Sequence, residues 1–258
     1  MSLVKKKNNI KPTLLYLSNA VFPSRTAHSV QIINMCDGFL NFSNKVILFG
    51  RAFKGKTSHD ISIFYNSRNG INFSLVNNSS PILAYFKYVF SFIKLKLRKE
   101  KINFIFSRSL VLMIIARLFY NSKIVYEIHS PNEGAQKILE KICIKLSLIN
   151  GVVFISKSLK NFYLNRYPTL RNFCVLHDGA KINSELKNFN IINKKTFKCG
   201  YLGSSHVGKG ARTVINLSFE MLDIDFHLCG IEIVFLSRTI LPRRNKIIYF
   251  YTHGFHIP

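Results

Sequence analysis

The chain has 258 residues and carries 37 Lys and Arg against 12 Asp and Glu, a formal charge of +25. Its 48% hydrophobic content excludes a disordered chain, which could not bury enough apolar surface to offset its ordering entropy. No apolar run approaches the roughly 18–20 residues that a spanning helix needs, and the stretch 14–17 is too short for a signal-peptide core.

Residues 13–18 (TLLYLS) form an apolar run of strand length, and 19–26 read as a turn. A helical pattern starts at Ala27, with Val30, Ile33, Phe39 and Leu40 near one face. Residues 45–49 (KVILF) predict a second strand and 53–60 a polar loop. Two short strands are expected at 61–65 and 71–76, around a turn at Arg68, Asn69 and Gly70. Pro81 opens a long helix to Glu100. Its polar stripe, Lys87, Ser91, Lys94, Arg98 and Lys101, recurs every three or four residues, so the helix is basic and amphipathic. Two readings of it stand: a helix packed on a sheet with a solvated stripe, or peripheral contact with an anionic membrane surface through residues 82–101.

Strict alternation follows. Strands are predicted at 103–106, 123–127, 151–155 and 172–176, with helices at 109–120, 135–149 and 158–167 between them. A polar segment, 181–195, reads as a linker. Strand 197–202, helix 210–222, strand 226–229, a helix near 233–240 and strand 246–250 complete the order. Strands alternating with helices imply parallel sheets covered on both faces. The expectation is an α/β chain of two Rossmann-like domains, 1–180 and 196–258.

In such sheets ligands bind outside the carboxyl ends of the strands. The polar residues placed there include Arg108, Glu127, His129, Asp178 and the run from Gly203 to His206. The sharpest motif is 203–210 (GSSHVGKG), between a strand and a helix. Gly203, Gly208 and Gly210 let the backbone approach a ligand, and the helix N-terminus offers free N–H donors to an anion. Lys209 adds a point charge. The spacing nearly matches a nucleotide-hydrolysing P-loop, but Gly210 stands where that loop needs Ser or Thr for magnesium. A phosphate site is the preferred reading, and a plain glycine turn is the alternative. His129 is either a structural histidine or a functional one, and its place beyond a strand favours the second.

No nucleophile elbow, glycosidase-type carboxylate pair or metal cluster is visible in the sequence. The five cysteines lack CxxC spacing and read as buried free thiols, which suits a cytoplasmic protein. No helix-turn-helix, RNP or zinc signature accompanies the charge. The abundance of Lys, Asn and Ile, residues of AT-rich codons, accounts for part of that charge, so no nucleic-acid partner is expected.

Four ordered segments carry a resemblance. They are 23–31 (PSRTAHSVQ), then 106–109 (FSRS) with 125–131 (VYEIHSP), then 153–159 (VFISKSL) with 176–180 (LHDGA), and 200–210 (GYLGSSHVGKG) with 226–230 (FHLCG). In this order they resemble the family-4 retaining glycosyltransferases of the GT-B fold. The resemblance implies an acceptor-side first domain, a second domain that binds a nucleotide-sugar donor, and transfer to a saccharide or lipid-linked acceptor in bacterial surface polysaccharide synthesis. It implies no metal and no other cofactor.

By position, Lys209 matches the family's donor-phosphate lysine, within Gly203, Ser204, Gly208 and Gly210. His129 matches the histidine that contacts the transferred sugar, and is the residue expected to be catalytic. Ser24, Arg25, His28 and Ser29 match the loop that approaches donor and acceptor. Arg108, Glu127 and Asp178 would line the cleft. Ser204 stands where many members have arginine. The family's pair of glutamates would lie beyond the third strand of the second domain, and residues 254–258 resemble the turn after that strand. The resemblance therefore implies an incomplete second domain. An alternative expectation follows: a catalytically inactive chain that acts at most as a binding or partner module.

Overall fold

The structure, a computed structural model, describes residues 12–77, 81–179, 197–231 and 249–251. The chain divides into two compact units, Met1–Ile182 and Asn183–Pro258. The predicted linker and the helix near 233–240 lie outside the described residues.

Among the described residues of unit 1, seven strands alternate with six helices: β1 (Thr13–Phe22), α1 (Ala27–Phe39), β2 (Lys45–Ala52), α2 (Ser58–Tyr65), β3 (Ile71–Asn77), α3 (Pro81–Leu97), β4 (Phe104–Ser107), α4 (Leu110–Phe119), β5 (Lys123–Ile128), α5 (Gly134–Lys145), β6 (Gly151–Phe154), α6 (Lys157–Arg166) and β7 (Phe173–Val175). All pairs are parallel, in the order β3-β2-β1-β4-β5-β6-β7. Every strand therefore ends at the same edge.

The strands alternate between two cores, as the two-residue period of a strand dictates. Leu15, Leu17, Ile47, Phe49, Ile105, Ile124, Val152 and Phe154 face α3 to α6. Tyr16, Val46, Leu48, Phe106 and Val153 face α1 and α2. Burial on both faces explains why the strands read as unbroken apolar runs.

Two predicted elements are corrected. Residues 61–65 are not a strand but the end of α2. A capping box starts this helix: Thr57 Oγ1 accepts from the Asp60 N–H, and an Asp60 carboxylate oxygen accepts from the Thr57 N–H. Asn66, at φ +46°, stops it. The second correction concerns β1, which runs on to Phe22 where a turn was expected from residue 19. Its pairing with β2 slips by two residues between Leu17 and Val21. That bulge turns Asn19 outward, and Arg51 Nε donates to the Asn19 carbonyl at 2.9 Å.

In unit 2, β8 (Phe197–Leu202), α7 (Ala211–Glu220), β9 (Ile224–Cys229) and β10 (Tyr249–Tyr251) form a parallel sheet in the order β10-β9-β8. α7 packs Ala211 and Ile215 onto Phe226 and Leu228. The cysteines divide: Cys36 and Cys143 are buried, Cys199 and Cys229 half-buried, and Cys174 exposed, so the expectation of five buried thiols fails. Among the described residues, no helix is long and apolar enough to cross a membrane.

Candidate functional site

At the carboxyl edge of unit 1, Arg108 follows β4, and its N–H donates to the Leu17 carbonyl at 3.0 Å. Its guanidinium meets the Glu127 carboxylate of β5 in a fork, Nε to Oε2 at 2.5 Å and Nη2 to Oε1 at 3.2 Å. Both side chains are over 95% buried. A buried pair of this kind holds together because each charge would be costly alone. Burial pushes the Glu127 carboxyl up, but contact with His129 and the Arg108 guanidinium outweigh it, and the net position is below the usual range.

Three further groups converge on the pair. His28, on the first turn of α1, places Nδ1 3.3 Å from Arg108 Nη1. Partial burial, then the Arg108 and His129 charges, hold His28 below its ordinary value. His129 Nε2 lies 3.3 Å from Glu127 Oε1, without the alignment of a hydrogen bond. Asp178, beyond β7, accepts from Gln31 Nε2. Gln31 was missed in the sequence, although it lies three residues after His28 and so on the same helix face.

Glu127, His129 and Asp178 each bring one ligand-capable atom within 4.8 Å of the others. The sequence showed neither a carboxylate pair nor such a cluster, because Glu127 and His129 stand at the end of β5 whereas Asp178 lies beyond β7, some fifty residues on in the chain. These three residues could hold a cation among the described residues. The Arg108 charge, 2.5 Å from Glu127, opposes one there.

A cavity of about 150 Å³ opens beside this cluster, with Asn19, His28, Tyr85, Arg108, Tyr126 and Asn132 in its wall. The β1 bulge aims Asn19 at it, where Nδ2 donates to Tyr85 Oη at 3.0 Å and Ser109 Oγ at 3.2 Å. Asn132 belongs to a network that the sequence did not reveal. Its Nδ2 donates to the buried Glu140 at 2.6 Å and to Tyr126 Oη at 3.1 Å, and Glu140 also accepts from Tyr163 and Tyr167. Burial pushes the Tyr126 phenol up to about 12. The network braces the loop that begins at His129.

The residues of the first turn do other work. Thr26 caps α1 by accepting from the Ser29 N–H, and Ser29 Oγ, which is buried, donates to the Val21 carbonyl. Ser24 is clasped through its backbone by Tyr65 Oη, which accepts from its N–H at 2.7 Å and donates to its carbonyl at 2.6 Å. Arg25 is exposed. Of the four predicted loop residues, only His28 joins the cluster.

In unit 2 the loop between β8 and α7 is shaped by backbone. Gly203 N–H donates to the Cys229 carbonyl at 3.1 Å. Gly208 and Gly210 sit at φ +85° and +86°, the left-handed region that suits glycine. Gly210 is the N-cap of α7 and offers no side-chain cap, so no side chain of the cap residue competes for the first N–H groups. Tyr201 Oη lies within donating reach of two loop carbonyls, Ser204 at 2.9 Å and Lys209 at 3.1 Å. Ser204 is half-buried and Lys209 exposed. The arrangement presents one lysine and a helix start to solvent, a pairing suited to an anion.

The chain is similar in structure to Anabaena HepE in complex with UDP and glucose, with 14% identity, TM-score 0.60, 92% of this chain and 68% of that one covered. The fold is of the GT-B type. The lipopolysaccharide outer core galactosyltransferase WaaB, in its apo form, matches with 15% identity and TM-score 0.60, over 93% of this chain and 68% of its own. S. aureus TarM, in a mutant form bound to Fondaparinux, alpha-GlcNAc-glycerol and UDP, matches with 10% identity and TM-score 0.60, over 93% and 78%. No protein-family model matches the chain. No curated protein matches it either.

Proposed function

We propose that the chain is a glycosyltransferase of the family-4 retaining type. In this reading it moves a sugar from a nucleotide-sugar donor to a saccharide or lipid-linked acceptor in bacterial surface polysaccharide synthesis, on the cytoplasmic side. The observation that carries the reading is the loop of unit 2, where Gly208, Lys209 and Gly210 lead into an α7 start without a side-chain cap. A departing nucleoside diphosphate gathers negative charge as the glycosidic bond breaks, and fixed N–H groups and a lysine stabilise that charge. Gly203 and Ser204 form the entry to the loop. The GT-B fold, shared with structures that hold UDP, supports the same assignment.

Unit 1 supplies the acceptor-side groups. His129 is the residue we assign to the transferred sugar, with Arg108, Glu127 and Asp178 lining its surroundings and His28 facing them. Ser24 and Ser29 fix the backbone of the turn assigned to the ligands, through Tyr65, Thr26 and Val21, and the Arg25 side chain is exposed. With Lys209 and a helix start on the diphosphate, transfer needs no catalytic metal.

Titration calorimetry with UDP and GDP tests the donor site. Lys209→Ala is expected to weaken binding about tenfold, the scale of a lost phosphate contact of about 1.4 kcal/mol, with no change in melting temperature because the side chain is exposed. Absence of binding, or an unaffected Lys209→Ala variant, would sink the assignment. A second reading is that these residues bind a donor or partner without turnover. Turnover of a UDP-sugar that persists in EDTA separates the two readings and checks the metal-free mechanism.

A further inference from the structure

The sequence left open whether the long basic helix packs on the sheet or meets a membrane. In the structure α3 buries one apolar face and exposes another. Ala84, Tyr88, Phe92 and Leu95 are buried against the sheet and α4. Leu83, Phe86, Phe90, Ile93 and Leu97 are exposed, at alternating spacings of three and four residues. That spacing places all five on one stripe of the helix, about 21 Å long at 1.5 Å per residue. Phe86 is 64%, Phe90 71% and Leu97 78% exposed, so these three are the open part of the stripe, with Leu83 and Ile93 more covered.

Charge says what the stripe suits. α3 contains no Asp or Glu. Lys94 falls beside the apolar stripe, at the edge nearer the buried face, Arg98 follows the last residue of the helix, and both are exposed. The acid that follows, Glu100, is already held by Lys45 at 2.6 Å. The neighbouring helix α4 also lacks acids and exposes Leu118, and α5 beyond it exposes Ile138, Ile142 and Leu146 among Lys137, Lys141 and Lys145. The opposite layer exposes Phe42, Ile63 and Phe64, without a repeat at helical spacing or a row of cations.

We infer that the α3–α5 face of unit 1 docks on an anionic lipid bilayer, with Phe86 and Phe90 entering the boundary between headgroups and acyl chains and Lys94 and Arg98 meeting lipid phosphates. Aromatic and aliphatic residues on one face with cations at the margin is the arrangement of helices that lie in the membrane plane. A protein partner of matching shape would need acids for these cations, and a second copy would bring cation against cation. The ridge begins beside the cavity at the strand edge, since Tyr85 forms part of the cavity wall. The choice of a lipid-linked acceptor over a free saccharide follows from that proximity and rests on the glycosyltransferase reading. The docking itself does not.

The protein contains no tryptophan, so a single Trp reports its own site. The full chain carrying Phe90→Trp is mixed with phosphatidylcholine vesicles, with and without phosphatidylglycerol, and Phe42→Trp serves as the control on the opposite layer. Blue-shifted emission is expected for Phe90→Trp alone, with the anionic vesicles alone, and it should fade at high salt. In co-sedimentation, Phe86→Ser with Phe90→Ser should lower partitioning about tenfold, and Lys94→Glu with Arg98→Glu likewise. Circular dichroism of these surface variants checks that the fold is retained. No shift at position 90, equal shifts at 90 and 42, or unchanged partitioning of both double variants overturns the proposal. So does a concentration-dependent dimer that Phe90→Ser abolishes while vesicle binding is absent. UDP binding is measured on the same samples, and its loss or retention bears on the donor site alone.

Discussion

The charged cluster of unit 1 and the glycine loop of unit 2 occupy equivalent places, each beyond the carboxyl ends of parallel strands, yet they are made of different materials. The first is built from side chains. Arg108, Glu127, His28, His129 and Asp178 come from α1 and the ends of β4, β5 and β7, and the buried Arg108–Glu127 pair is their centre. The second is built from backbone, with two glycines at positive φ and a tyrosine hydroxyl beneath the loop. A side-chain site depends on burial and pairing, so its mutants fail through desolvated charge. A backbone site depends on torsion angles and close approach, so its mutants fail through shape.

The largest expected effect belongs to the first kind. Arg108→Ala strands a buried carboxylate and should cost about 3–5 kcal/mol in urea unfolding, whereas Arg108→Met combined with Glu127→Leu should recover most of the loss. Equal damage from the single and double variants would mean that the pair does not act through its charges. Next is Gly230→Ala in unit 2. Gly230 sits at φ +83°, and a Cβ there would lie 2.9 Å from the Gly203 carbonyl oxygen. A loss of about 1–3 kcal/mol is expected, read as earlier hydrogen exchange in β8 and β9 with β4 and β5 unchanged. Tyr201→Phe removes the hydroxyl beneath the loop and should cost about 1 kcal/mol, visible as faster exchange at the Lys209 amide.

The smallest effect concerns pH. The His28 value is depressed in the folded chain, so below about pH 6.5 the unfolded chain takes up a proton that the folded chain resists. Stability therefore falls as pH drops from 7 toward 5. Glu127, also depressed, stabilises above its unfolded value and loses that contribution only at more acid pH. His28→Asn should flatten the unfolding midpoint between pH 5 and 7 and leave the more acid fall intact. A profile that His28→Asn does not alter would remove His28 from the charged cluster.

The same contrast explains what the sequence could reveal. The glycine loop was legible because its parts are neighbours: strand, glycines, lysine and helix occupy one continuous stretch. The strands were legible because sheets buried on both faces need largely apolar runs, as in residues 45–49 and 123–127. α2 was misread because Ile61 to Tyr65 is also an apolar run of strand length, and the Thr57–Asp60 box that starts the helix lies outside it. The β1 extension was hidden because Ser18 and Asn19 look like the end of a strand. For the charged cluster, the strand-end rule located Arg108, Glu127, His129 and Asp178 but not who meets whom. Gln31 and Asp178 are 147 residues apart, and Arg108 and His28 are 80 apart. Such pairs exist only after the sheet has brought its edges together. Glu140 was passed over for the same reason, since two of its three hydrogen-bond partners, Tyr163 and Tyr167, lie more than twenty residues away, and the third, Asn132, lies in the loop before α5.

The strand order carries a consequence for the order of assembly. β1 is near the beginning of the chain yet stands inside the sheet, with β2 on one side and β4 on the other. Its first partner arrives after one helix. Its second arrives about ninety residues on, where Asn103 closes back on Thr13. The cost of closing a loop grows only with the logarithm of its length, but the chain must first exist. During synthesis β1, β2 and β3 can pair while the other flank of β1 still lacks residues 104–107. The emerging chain thus carries an open, apolar strand flank through the whole synthesis of α3, and a nascent chain in that state is the form most exposed to wrong pairing or to capture by a chaperone.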